Sequence, residues 1–133
     1  MKRKRIILTI LVVLLEFFLT ILAAKAYIEV SLKELTSLSI SNVDLSKAQD
    51  GVYSGSYKVF PVAAEVEVTI NNHKIERIEL KKHNNGQGFP AEVIPEKVTE
   101  AQTLEVDTVA GATYSSKVIL KAIEKALNSA NIN

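Results

Sequence analysis

Val62-Ala63-Ala64-Glu65-Val66-Glu67-Val68-Thr69-Ile70 is the stretch that decides the fold class. Val62, Ala64, Val66, Val68 and Ile70 alternate with Ala63, Glu65, Glu67 and Thr69. A period of two over such a run is a half-buried strand with one apolar and one wet face. Downstream, Asn71-Asn72 reads as a tight hairpin turn. Ile75, Ile78 and Leu80, with Lys and Glu between them, continue as a third strand. Upstream, Asp50-Gly51 is a turn signal, and residues 52–59 have the β-branched and aromatic content of a strand loosened by Gly55, before Pro61 breaks the chain. The three together form an antiparallel meander.

An apolar sheet face needs a cover. Val118, Ile119, Ala122, Ile123, Ala126 and Leu127 form one stripe of a helix over residues 115–130 that should pack across it. Residues 91–103 also look helical, with Val93, Ile94, Val98 and Ala101 roughly on one side and Pro95 placed to divide them. Leu104-Glu105-Val106 is expected as a short strand, and residues 107–113 as a loop. The expected fold is α+β, a small antiparallel sheet with helices on one face, preceded by one N-terminal transmembrane helix.

That N-terminal helix follows from charge and hydropathy. Residues 6–24 are a run with one charge, Glu16. As a helix it spans roughly 28 Å, close to a bilayer core. Lys2, Arg3, Lys4 and Arg5 precede it and should stay cytoplasmic, which puts the rest of the chain across the cell membrane in a single pass. Cleavage as a leader near Ala24-Lys25-Ala26 is the alternative, but the run exceeds the usual h-region. Glu16 either meets a partner helix or is tolerated as a carboxylic acid. The expected division is a basic tip and anchor at 1–28, a Ser-containing tether at 29–49 and a domain at 50–133.

Composition removes several functions. Residues 29–133 hold 11 Lys and Arg against 14 Asp and Glu. Such an acidic body has no counterion-release drive toward nucleic acid. No Cys is present, which excludes disulfides, thiolate metal sites and Cys nucleophiles. The two His residues have no matching Asp or Glu at i+3 or i+4 on a helix, so no metal site is expected. There is no nucleophile elbow, acid–base pair or Gly-rich nucleotide fingerprint, and no catalytic residue is assigned.

The segment that can carry chemistry is Asp107-Thr108-Val109-Ala110-Gly111-Ala112-Thr113-Tyr114-Ser115-Ser116. It leads into the last helix. Gly111 permits a conformation that a side chain would block. Thr113, Ser115 and Ser116 bring hydroxyls and free amides to a helix N-terminus, where an anion is favoured. An ordinary Ser/Thr N-cap is the other reading, and taken alone the residues favour it because caps are commoner.

Asp107-x-x-x-Gly111-Ala112-Thr113, followed by Tyr114-Ser115-Ser116 and an amphipathic helix, resembles the flavinylation motif of the FMN-binding domain family. That family includes peripheral subunits of the Rnf and sodium-pumping NADH:quinone reductase complexes. The resemblance covers about residues 50–130, including Asp50-Gly51-Val52-Tyr53-Ser54-Gly55 and the loop with His83 and Gly88. It implies FMN joined through its phosphate to the hydroxyl of Thr113, installed by a separate magnesium- and FAD-dependent flavin transferase. It implies a motif role for Asp107. Ala110 stands where larger relatives often carry Ser or Thr. In the loop, Gly86 and Gly88 would let backbone approach the flavin and Phe89 would pack on it. His83 either joins this site or faces solvent, and Phe89 alternatively fills core. His73 should be solvated, Tyr53 and Tyr57 should share a packed face, and Lys117, Lys121 and Lys125 should form a solvated helix face.

The function this implies is an extracytoplasmic electron-transfer flavoprotein exchanging electrons with a membrane redox partner or quinone-linked donor. The alternatives are a flavin-free or non-covalent accessory module and a small FMN-dependent reductase.

Overall fold

A computed structural model of the chain describes residues 1–131. Helix α1 runs Lys2–Thr36, and strands β1 (Gly51–Val59), β2 (Val62–Asn71) and β3 (Lys74–Asn84) follow. Helix α2 (Ile94–Ala101) is preceded by a 3-10 turn at Phe89–Val93, and α3 (Thr113–Ala130) closes the described chain. The strands form one antiparallel sheet in the order β1-β2-β3. This is the α+β arrangement expected, and α1 is long and apolar enough to cross a membrane.

The alternation in β2 sets the layers. Val62, Ala64, Val66, Val68 and Ile70 are all buried on one face. Val118, Ile119, Ala122, Ile123, Ala126 and Leu127 of α3 are buried against β1 and β2, while α2 covers β3. At Gly55 the helix backbone lies directly on the strand. A Cβ there would overlap the Ala122 carbonyl oxygen and stand 2.7 Å from the Ala126 amide nitrogen. Tyr53 and Tyr57 flank Gly55 on the same face and pack against the core. The Lys125 ammonium sits 5.1 Å from the Tyr57 ring centroid.

Several details depart from the sequence reading. The β2–β3 turn is centred one residue later than Asn71-Asn72. Asn71 pairs with Lys74, and Asn72 and His73 take the positive φ values of 50° and 59° that a two-residue primed turn demands. His73 is not merely solvated, because its Nδ1 lies 2.9 Å from the Ala48 carbonyl oxygen. Leu104-Glu105-Val106 is not a strand. At the open edge of β3, the Gln102 side chain accepts from the Ile75 amide at 2.9 Å and donates to the Ile75 carbonyl at 2.8 Å. Pro95 sits in the first turn of α2, where a missing N–H costs nothing.

The stretch 29–49, expected as a tether, packs against the domain. Helix α1 continues to Thr36, Leu35 and Ala48 are buried, and Leu38, Ile40, Val43 and Leu45 lie against the core. The segment then follows α3 from its first turn to its last. The Lys117 ammonium donates to Thr36 O at 2.6 Å, Lys121 to Ser39 O at 3.2 Å, and the Gln49 amide to Ala130 O at 3.1 Å. The lysine series on α3 is therefore not a free solvated face. Two of its members satisfy carbonyls at and beyond the end of α1, and the third lies over Tyr57. Asp44 holds a 3-10 turn at Leu45–Lys47. Its carboxyl lies below the usual range, because the Ser46 hydroxyl donates to it, then the Ser46 amide, with Lys47 nearby.

Two core substitutions probe this packing in opposite senses. Ile123→Ala leaves a void and should cost about 2–5 kcal/mol. Gly55→Ala forces α3 off the sheet and should cost about 1–3 kcal/mol by overpacking. Urea unfolding of the detergent-solubilised chain, followed by far-UV circular dichroism, measures both, with wild-type midpoints in either variant contradicting the packing described.

Candidate flavin site

The start of α3 is built by the loop before it. Gly111 adopts φ +78°, and the Ala112 amide closes a turn onto Val109 O at 3.0 Å. Ser116 holds that turn to the helix. Its buried hydroxyl donates to Ala112 O at 2.8 Å and accepts from the Val109 amide at 3.0 Å. The residue at the cap position is Ala112, and no side chain caps the helix. The first helical bond runs from the Ser116 amide to Ala112 O. The amides of Thr113, Tyr114 and Ser115 thus have no partner among the described residues. The commoner reading of these hydroxyls, an ordinary Ser/Thr cap, does not hold. Ser116 is consumed in structure, and Thr113 lies inside the first turn with its side chain exposed.

A second loop meets this terminus. Residues 85–88 turn through Gly86 at φ +57°, with the Gly88 amide donating to Asn85 O at 2.8 Å. Gly88 is pressed on α3. A Cβ there would overlap the Ser115 hydroxyl and stand 2.6 Å from Ser115 Cβ. Between the loops lies a cavity of about 360 Å³, lined by residues 85–88, residues 111–115, Pro61, Val62 and Leu32 of α1. That volume is in the range of small-molecule sites. The cavity has an apolar wall in Leu32, Pro61, Val62 and Ala112, polar groups in Asn85, Gln87, Thr113, Tyr114 and Ser115, and no carboxylate.

The structure brings Gly88, Gly111, Ala112, Thr113, Tyr114 and Ser115 of the expected set together in this cavity. It does not bring the others. Ala110 is exposed in the preceding turn. Asp107 is exposed and lies beside Lys97, which donates to its backbone carbonyl at 3.5 Å. Phe89 is 68% exposed, so it neither fills core nor lines the cavity. His83 does not face solvent. Its side chain is 2% exposed, with Nδ1 2.9 Å from Glu92 Oε1 and Nε2 buried without a partner among the described residues. Asn85 joins this pair to the cavity, its Nδ2 lying 3.4 Å from Glu92 Oε1 and 3.4 Å from His83 Nδ1. Asn85, Glu92 and Leu32 escaped sequence reasoning. Asn85 lay in a loop already singled out, Glu92 is nine residues from its partner, and nothing in the sequence ties Leu32 to a loop some 80 residues away.

A family model described as an FMN-binding domain matches residues 62–128, from the first residue of β2 almost to the end of α3. The chain belongs to the FMN-binding domain family. It is 30% identical over 123 residues to a Vibrio harveyi protein named NADH:acrylate oxidoreductase, covering 90% of this chain and 12% of that one. It is 29% identical over 85 residues to an uncharacterized protein of Treponema pallidum (strain Nichols), covering 62% of this chain and 24% of that one. The chain therefore spans only a small part of the curated relatives it matches. No solved structure matches it.

The cavity suits FMN as the cofactor of this domain. Uncapped amides and the positive end of α3 favour a phosphate, no acidic side chain opposes it, and the apolar wall suits an aromatic ring. Close approach at Gly88 needs the absence of a side chain, which is what the loop supplies.

The His83–Glu92 pair predicts a stability effect. Glu92→Ala leaves a buried imidazole nitrogen unpaired and should cost about 1–3 kcal/mol in urea unfolding. Loss of less than a few tenths would mean that the pair does not hold Asn85 and its loop in place.

Proposed function

We propose that the chain is an extracytoplasmic, membrane-anchored electron carrier whose FMN is held by a phosphoester on Thr113. The observation that carries this reading is the exposed Thr113 hydroxyl in the first turn of an uncapped helix, beside a carboxylate-free cavity. The basic tip at Lys2–Arg5 supports a cytoplasmic N-terminus and an exported domain. The Vibrio relative, named for an oxidoreductase, supports redox chemistry. Its substrate activity is not carried over to a chain that covers 12% of it.

Maturation in this reading needs only the Thr113 hydroxyl from this chain. A magnesium- and FAD-dependent flavin transferase is the partner. The Thr113 oxygen bonds to the FMN-side phosphorus of FAD, the pyrophosphate bond breaks, AMP leaves, and the hydroxyl proton is lost. No oxidation state changes. The amides of Thr113, Tyr114 and Ser115 hold the phosphate charge. Gly88 keeps the opposite loop close, Asn85 and Gln87 offer hydrogen bonds, and Leu32, Pro61 and Val62 exclude water. Bound FMN supplies the capacity to accept and donate electrons, and the protein supplies position and electrostatics. The anchor holds the carrier at the membrane, where a membrane redox partner or quinone-linked donor meets it at high local concentration.

Intact mass of the full chain co-expressed with a flavin transferase tests the linkage. Wild type and Thr113→Ser should gain one FMN less one water, and Thr113→Ala should gain nothing. An equal gain in folded Thr113→Ala would move the attachment elsewhere, and no gain in wild type with a competent transferase would remove the covalent link.

A further inference from the structure

Beyond the apolar run the chain has six aromatic side chains. Tyr53 and Tyr57 pack on the core from β1. The other four are exposed: Tyr27 63%, Phe60 50%, Phe89 68% and Tyr114 37%. Tyr114 lines the cavity, and the other three adjoin its lining residues or one another. Phe60 precedes Pro61 in its wall, Phe89 follows Gly88, Tyr114 lines it, and Tyr27 touches Phe60 with ring centroids 6.2 Å apart. Exposed aromatics gathered at one end of a small domain mark an interaction surface.

The position of Tyr27 names the partner. It lies three residues past Ala24, where the apolar run ends, or about 4.5 Å further along a continuous helix. Headgroup layers are roughly 5–7 Å deep on each side of a bilayer core. Tyr27 thus falls in the layer where Tyr and Trp are enriched in membrane proteins. Phe60 is brought to within 6.2 Å of the Tyr27 ring by a different element, the β1–β2 turn, a separation comparable to the depth of that layer. Leu32 of the same cavity stands about 12 Å past Ala24, just above the headgroups. Lys25 follows the run directly and Lys58 lies two residues before Phe60, so cations flank the aromatic pair.

We propose that the domain rests on the bilayer surface by this end. Phe60 sits in the headgroup layer beside Tyr27, the exposed aromatics rim the contact, and the cavity opens against the membrane. The inference rests on α1 being a membrane anchor. It deepens the carrier reading, since electrons would be exchanged with a partner at or within the bilayer and not one approaching from bulk solvent. Val52, 60% exposed at the opposite end of β1, lies far from the membrane in this arrangement.

Because the chain has no Trp, single Trp reporters in full-length protein reconstituted in phosphatidylcholine–phosphatidylglycerol vesicles test it directly. The reporters are Leu14→Trp, Phe60→Trp and Val52→Trp. The quenchers are lipids brominated at mid-chain and lipids nitroxide-labelled at the headgroup. Leu14→Trp should be quenched by the mid-chain bromines. Phe60→Trp should lose about half of its emission to the headgroup label, as befits an interfacial ring, with Val52→Trp unaffected. Quenching of Leu14→Trp with Phe60→Trp no more affected than Val52→Trp would overturn the docking and leave the anchor intact. An unquenched Leu14→Trp would remove the anchor, and the docking with it.

Discussion

The structure depends on how closely α3 lies on the sheet. At Gly55 helix backbone and strand backbone meet with no side chain between them, and Tyr53 and Tyr57 close the contact on either side. Everything that builds the site is referred to that seat. Once α3 is down, its first turn stands against residues 85–88, and a second missing side chain, at Gly88, lets that loop press onto Ser115. The cavity is the space left beside these close approaches. Its anion-favouring end comes from the same element, because Ala112 at the cap leaves the first amides of α3 unpaired. Fold and candidate site thus share one helix, the stripe of which supplies the core while its N-terminus lines the cavity.

The segment between α1 and β1 extends this logic to the membrane side. Lys117 and Lys121 bind carbonyls at and just beyond the end of α1, and Leu35 is fully buried. The described domain is therefore not loosely hung from its helix. Leu32 reaches the cavity wall from α1 itself. In the proposed arrangement, a carrier built this way would present the candidate site at a fixed height and orientation, which suits exchange with a partner confined to the same plane better than with one met at random.

Much of the architecture was legible because periodicity is a local signal. Alternation in β2 and the stripe on α3 each fixed an element and its buried face, and Pro95, read as dividing residues 91–103, lies where a 3-10 turn gives way to α2. What failed was non-local. Leu104-Glu105-Val106 has strand composition, but the Leu104 amide donates to the Asn42 side chain at 3.2 Å and not to a strand. Residues 29–49 space their apolar positions without a clear period, yet Leu35 and Ala48 are buried and the lysines of α3 hold the segment's carbonyls. The loop 107–116 was read as a candidate site through Gly111 and Thr113, and both of these residues line the cavity. Asp107, Ala110 and Phe89 stay outside it, Ser116 is buried in structure, and His83 turns inward to Glu92. Sequence proximity to a motif does not say which way a side chain points.

In the proposed function, the cavity between residues 85–88 and the first turn of α3 holds the flavin phosphate. The most direct measurement is a crystal structure of the chain purified from cells that co-express a flavin transferase. Density should run continuously from Thr113 Oγ1 into a phosphate at the amides of Thr113, Tyr114 and Ser115, with the ring against Pro61 and Val62. Flavin density elsewhere, for example in the groove lined by Lys58, Lys82 and Lys125, would contradict it.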